Sequence, residues 1–258
     1  MTVLDSFKLN GQVAVVTGGA GLFGRQIVEA LAEAGAHVVM ASRNVDKLQV
    51  VADELNGRGL SASAEPLDQG DPASIHALRD AVLEKHGRVD VLVNNAVLRP
   101  MKSWDDDLDR FRQSMAVNVT GVFEMTRCFG ASMAERGAGS IINIGSIQGM
   151  VGPAPAIYEG LGMGSVPDYF IHKGGMLQLT RYAAAELGPA GVRVNTLSPG
   201  GFHNNQPEAF VERYNARTYL GRMANETDLK GAVVFLASDA SAYVTGANLA
   251  IDGGYTAQ

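Results

Sequence analysis

Short apolar runs alternate along the chain with longer segments whose apolar residues recur at helical spacing. Residues 12–17 (QVAVVT) form a β-branched run that meets a Gly-rich turn, and from 24 to 34 the positions Ile27, Val28 and Leu31 mark one face of a helix. The unit then returns. Residues 37–41 (HVVMA) predict a second strand, and 44–55, with Leu48, Val51 and Leu55 in step, predict a second helix. Further strands are expected at 62–67, 89–94, 140–144, 192–197 and 248–251, with helices over 72–86, 104–136, 168–187 and 227–237. Strands alternating with helices of this length predict an α/β fold, a doubly wound parallel sheet of Rossmann type with helices on both faces. No linker, low-complexity tract or break in composition interrupts 1–258, so one domain is expected. The least regular stretches, 146–167 and 200–207, both follow predicted strands. Ligands bind beyond the carboxyl ends of strands in open α/β sheets, which makes these loops the expected walls of a site.

Composition narrows the function classes. The chain has 258 residues, 46% of them apolar and 19% charged, which suits a folded protein with a large core. A formal net charge of −6 argues against a nucleic-acid partner. One cysteine, Cys128, cannot form an internal disulfide and points to a reducing, cytoplasmic setting. The first residues carry Asp5, Lys8 and Asn10 with no apolar leader region, and no later stretch approaches about 18 consecutive apolar residues, so neither export nor membrane spanning is expected. Asp105, Asp106, Asp107 and Asp109 resemble metal ligands only at first sight. At a helix start such residues suit the macrodipole, and no metal is expected. His37, His76 and His86 are assigned no role, nor is His172, which is expected to face away from its neighbours Tyr169 and Lys173.

Three groups of residues carry chemistry. Between the first strand and its helix lies Gly19-x-Gly21-x-x-Gly24, where glycines let the backbone approach a pyrophosphate while the helix N-terminus offers unpaired N–H groups and partial positive charge. After the second strand an NAD site usually places an acidic residue for the adenosine ribose, whereas this chain reads Ala41-Ser42-Arg43-Asn44. Arg43 and Ser42 supply the cation and hydroxyl that a 2′-phosphate needs, so NADP(H) is favoured, with NAD(H) the alternative. Finally, Tyr169 and Lys173 lie four residues apart, on one helix face one turn apart. A neighbouring ammonium favours phenolate and equips a tyrosine for acid/base work.

With Thr17-Gly18, Asp68, Asn94-Asn95-Ala96, Asn118, Ser146, Ser198-Pro199-Gly200, the 235–239 stretch FLASD and Asp252-Gly253-Gly254, these residues make the chain resemble the short-chain dehydrogenase/reductase family, in its short single-domain branch, from about Gly11 to Gly254. The resemblance implies an NAD(P)-dependent alcohol dehydrogenase or ketoreductase. Tyr169 would be the general acid/base, Ser146 would orient the substrate oxygen, Lys173 would lower the tyrosine pKa and hold the nicotinamide ribose, and Asn118 would anchor a relay water. It also implies cofactor contacts from Gly18, Gly21, Leu22, Phe23, Gly24, Ser42, Arg43, Asp68, Gln69, Asn95, Ala96, Pro199, Gly200, Phe202 and Asn204, and a homodimer or homotetramer. Three departures stand out. Leu22 occupies a position where the short branch has glycine, an insertion separates Ser146 from Tyr169, and Asn204 stands where a threonine is common.

Gln148, Tyr158, Glu159 and His203 are the expected substrate-side residues, and a pocket that polar suits a sugar, polyol or hydroxy acid. Tyr158 has Gly162 rather than lysine four residues on, so it is the poorer base. Arg99 is a further residue able to pair with an anionic substrate group. Two rival readings keep the fold: epimerase or dehydratase chemistry on sugar nucleotides, suggested by the glycine-loop spacing, and a dinucleotide sensor without turnover.

Overall fold

The computed structural model describes residues 2–257. Seven strands form one sheet: β1 (Val13–Thr17), β2 (His37–Ser42), β3 (Ser61–Pro66), β4 (Val91–Asn94), β5 (Gly139–Ile144), β6 (Val192–Pro199) and β7 (Asn248–Ile251). All neighbours pair in parallel, in the order β3-β2-β1-β4-β5-β6-β7. Parallel strands need crossovers. These run through α1 (Leu22–Glu33), α2 (Val45–Gly57), α3 (Pro72–His86), α4 (Leu108–Met115), α5 (Val122–Arg136), α6 (Pro167–Leu187), α7 (Glu208–Asn215) and α8 (Lys230–Ala237).

Two core layers explain why the central strands are apolar without alternation. Ala14 and Val16 of β1 pack with Ile27, Leu31, Leu48 and Val233 on one face, while Val13 and Val15 pack with Ile75, Leu78, Phe129 and Met133 on the other. Each such Leu or Phe contributes about 1.5–3 kcal/mol by leaving water. A third, smaller cluster of Ile147, Ile157, Phe210, Tyr214, Met223 and Tyr255 holds the loops that follow β5 and β6.

The structure departs from the sequence pattern in three places. The helix expected from 104 starts at Leu108, because Asp106 takes the Lys102 and Asp107 amides (2.6 and 2.9 Å) and Asp107 caps the helix through Asp109 N–H (2.8 Å). It is then interrupted by a π-helical turn, Ala116–Gly121. The helix expected from 227 starts only at Lys230, since Asp228 accepts from Asn225 N–H and Asn225 from Thr227 N–H, fixing a turn. The pattern does not announce α7: its apolar face, Phe210 and Tyr214, is complementary to the insertion rather than to the sheet. Among the described residues no helix is long and apolar enough to cross a membrane.

Candidate active site

Strand order reverses between β1 and β4, which opens a crevice at their carboxyl ends. Side chains knit its two walls together. Thr17 Oγ1 accepts the amide N–H groups of Asn95 (3.0 Å) and Ala96 (2.9 Å), and Asn95 Nδ2 donates to the carbonyls of Thr17 (2.8 Å) and Gly18 (3.1 Å). The glycine loop is thereby pulled tight. A Cβ at Gly24 would run into the Gly18 carbonyl and the Asn95 amide, so only glycine permits the close turn. No side chain caps α1, which leaves its first amides, at the positive end of the helix, for an anion. This cradle fits the pyrophosphate of a dinucleotide.

Around the cradle the expected cofactor residues fall into two sets. Phe23 meets Phe202 edge-on at 5.4 Å, which joins the glycine loop to the loop after β6, while Leu22 is exposed. Ser42 and Arg43 line an open depression with Asn44, Val45 and Asp46 at the start of α2, and Arg43 is exposed there. Asp68 is exposed and accepts from Gly70 N–H (2.9 Å). Gln69 is buried, and its Nε2 donates to the Val117 carbonyl in the π turn (3.0 Å). Asn204 is exposed with its N–H donating to Gln206 Oε1 (2.7 Å), and Gly200 N–H is tied to Ile251 on β7 (2.9 Å) beside Pro199.

The reacting end is built by β5 and α6. Pro167 at the first helical position starts α6, placing Tyr169 and Lys173 on consecutive turns. Lys173 is buried, and its Nζ donates to the Ile144 carbonyl at the end of β5 (2.5 Å). Ser146, also buried, follows on the same strand end, and its Oγ accepts from Gln148 N–H (3.1 Å). The next turn, Ile147–Gly149, packs directly on the α6 backbone: a Cβ at Gly149 would lie 2.5 Å from the Lys173 carbonyl oxygen. Gly149 therefore sets the distance between Ser146 and the tyrosine, a role no spacing rule announced.

Electrostatics single out Tyr169. Burial opposes ionisation of its phenol, yet the Lys173 ammonium, the Arg99 guanidinium and a hydrogen bond with Ser146 outweigh it and hold the pKa below the ordinary tyrosine value. Lys173 is itself pushed down by burial, which outweighs the opposing pull of Tyr169 and is aided by Arg99. Tyr158 behaves oppositely: burial pushes its pKa up, and its hydroxyl accepts from Gln148 Nε2 at 3.4 Å. The structure thus separates the two tyrosines. His172 does not face away from Tyr169 as expected. Its ring packs edge-on against the Tyr169 ring at 5.0 Å, and burial with two nearby cations drives its pKa to about 3, so it stays neutral.

Asn118 lies in the π turn with its side chain committed: Oδ1 accepts from Leu98 N–H (2.9 Å), and Nδ2 donates to the Leu98 carbonyl (2.7 Å) and to Ser114 Oγ (3.0 Å). Among the substrate-side residues, Gln148 and Tyr158 join the Ser146 side of the cleft. Glu159 and His203 are exposed, and the Glu159 carbonyl is held by Arg213 (2.6 Å). Among the described residues no cluster of three metal-ligating side chains occurs.

An uncapped helix N-terminus at the crevice, together with a serine, a tyrosine whose pKa is drawn below its ordinary value and a buried lysine, is the set of groups that nucleotide-dependent oxidoreductase chemistry requires. A family model described as enoyl-(acyl carrier protein) reductase matches residues 18–256, and the chain belongs to the short-chain dehydrogenase/reductase family. It is 37% identical over 258 residues to galactitol 2-dehydrogenase (L-tagatose-forming) of Cereibacter sphaeroides, covering 97% of each chain. It is 34% identical to D-threitol dehydrogenase of Mycolicibacterium smegmatis, covering 99% of this chain and 97% of that one. Among solved structures it resembles a gluconate 5-dehydrogenase from Burkholderia cenocepacia in complex with NADP and tartrate, with 32% identity, full coverage of both chains and a TM-score of 0.91. The protein is an NAD(P)-dependent alcohol dehydrogenase or ketoreductase that acts on a small molecule.

Proposed function

We propose that the protein interconverts a secondary alcohol and a ketone on a hydroxylated substrate, a sugar, polyol or hydroxy acid, with Tyr169 as the general acid/base. The observation that carries this is the placement of Tyr169, with the Arg99 guanidinium 4.2 Å and the buried Lys173 ammonium 5.7 Å from its ring centroid, cations that favour its phenolate. The nicotinamide, when bound, supplies the hydride acceptor or donor. In the oxidative direction the Tyr169 phenolate takes the hydroxyl proton, Ser146 donates a hydrogen bond to the substrate oxygen, and Lys173 stabilises the phenolate. Asn118 would anchor a relay water from the π turn, its side chain being held by Leu98 and Ser114. The polyol dehydrogenases among the relatives support the substrate class.

Arg43, exposed beside Ser42 at the α2 start with no acidic residue at the end of β2, supports NADP(H) over NAD(H). Exposed Phe123 on α5 and Ile171 and Tyr182 on α6 support a homodimer or homotetramer, and buried Cys128 a reducing cytoplasmic setting. The test is a nicotinamide absorbance screen of polyols, sugars and hydroxy acids with both oxidised cofactors. Turnover is expected in the wild type and lost in Tyr169→Phe with cofactor binding retained; unaltered turnover in Tyr169→Phe overturns the assignment. Arg43→Ala is expected to weaken NADPH about 10- to 100-fold more than NADH, and equal effects refute the 2′-phosphate role.

A further inference from the structure

Among the described residues Arg99 is the one exposed cation that lies over the Tyr169 ring: its guanidinium carbon is 4.2 Å from the ring centroid. That placement is built. The residue before it, Leu98, has both its N–H and its carbonyl held by the buried Asn118 side chain, so the β4 loop delivers Arg99 from a fixed backbone. The guanidinium lies over the Tyr169 ring and shares a hydrogen bond with its phenol, and its five-donor fork keeps further N–H groups with which to grip a carboxylate. No acidic side chain among the described residues pairs with Arg99, although Arg25, Arg58, Arg79, Arg88, Arg110 and Arg112 each have one.

The charge balance points the same way. The groups that act on Tyr169 are two cations and a hydroxyl, with no carboxylate among them. An oxidised nicotinamide would add a further positive charge, while the phosphates that come with it belong at the glycine loop and Arg43. With Lys173, Arg99 and an oxidised nicotinamide set against the Tyr169 phenolate and the buried Asp168 carboxylate, the cations outnumber the anions, which favours an anionic group on the substrate.

Resting on the dehydrogenase reading, we infer that Arg99 is the specificity residue of this site and binds a carboxylate on the substrate, so that the substrate class is a hydroxylated carboxylic acid rather than a neutral polyol. The carboxylate lies at the guanidinium edge and the alcohol at the Tyr169 oxygen, so the oxidised carbon sits near the acid group.

The test compares kcat/KM for aldonates of four to six carbons with the alditols of the same configuration, in wild type, Arg99→Gln and Arg99→Lys. Loss of Arg99 also raises the Tyr169 pKa, which slows both series alike, so the acid-to-alditol ratio is the readout. The wild type should favour the acids, and that ratio should fall about 10- to 100-fold in Arg99→Gln, with Arg99→Lys in between. A wild-type preference for alditols, or a ratio unchanged in Arg99→Gln, overturns the inference and leaves the dehydrogenase reading standing. A calorimetric titration of the NADP⁺-loaded protein with tartrate separates the two ideas. Binding that Arg99→Gln abolishes, without turnover of either series, supports the carboxylate site and refutes the dehydrogenase reading; no binding refutes the carboxylate site.

Discussion

Lys173→Met tests the electrostatic core of the site. The Lys173 Nζ lies 5.7 Å from the Tyr169 ring centroid in a buried setting. A unit charge at that distance, in an effective dielectric of about 20, stabilises a phenolate by about 3 kcal/mol, on the order of 100-fold in the population of the base at neutral pH. The substitution removes a buried charge and keeps the volume, so the fold should survive; a thermal melt checks this. In the oxidative direction kcat/KM near pH 7 should fall on the order of 100-fold, from the charge effect alone. Because the base form exists above the phenol pKa, and losing Lys173 raises that pKa, the acid limb of the profile should move to higher pH and activity should recover in alkali. Ketone reduction uses the neutral phenol and should suffer less. A loss of the same size at every pH would show that Lys173 acts by binding alone and would refute the reasoning.

Two further substitutions probe the scaffold. Thr17→Val deprives the Asn95 and Ala96 amides of their shared acceptor, at a cost of about 2–4 kcal/mol in denaturant unfolding, and should weaken cofactor binding with it; unchanged affinity would separate the loop tie from the cradle. Asp90 is pushed up by burial but pulled further down by Arg88, the Val13 amide and Arg136, so its folded pKa lies below the ordinary aspartate value. The stability it confers is present above that ordinary value and lost as pH falls through the depressed one. Asp90→Asn should therefore be less stable than wild type at neutral pH by about 3 kcal/mol, the gap closing on acidification; a gap independent of pH would contradict the ionic role.

Much of the fold was legible because β1, β2 and β4 to β6 are buried on both faces and read as continuous apolar runs, while α1 and α2 show a single apolar stripe. The π turn was not, since Ala116–Gly121 has the composition of ordinary helix and differs only in backbone winding. α7 escaped because Phe210 and Tyr214 are buried by the insertion and by Tyr255, partners far away in sequence. In the site, the Tyr169 to Lys173 spacing is local and could be read directly. Gly149 against the α6 backbone and Arg99 over the Tyr169 ring are tertiary contacts that leave no periodic trace, and His172 against Tyr169 depends on the ring rotamers rather than on spacing.

The most direct measurement follows the hydride. Wild-type protein is incubated with NADP⁺ and an alcohol deuterated at the carbinol carbon, and the reduced cofactor is isolated and weighed by mass spectrometry, beside Tyr169→Phe. Direct transfer assisted by Tyr169 predicts deuterium in the reduced cofactor from the wild type and almost none formed by the variant. Bound cofactor that is never reduced on net, or label retained in a rearranged substrate, would contradict it and point instead to epimerase chemistry in the same fold.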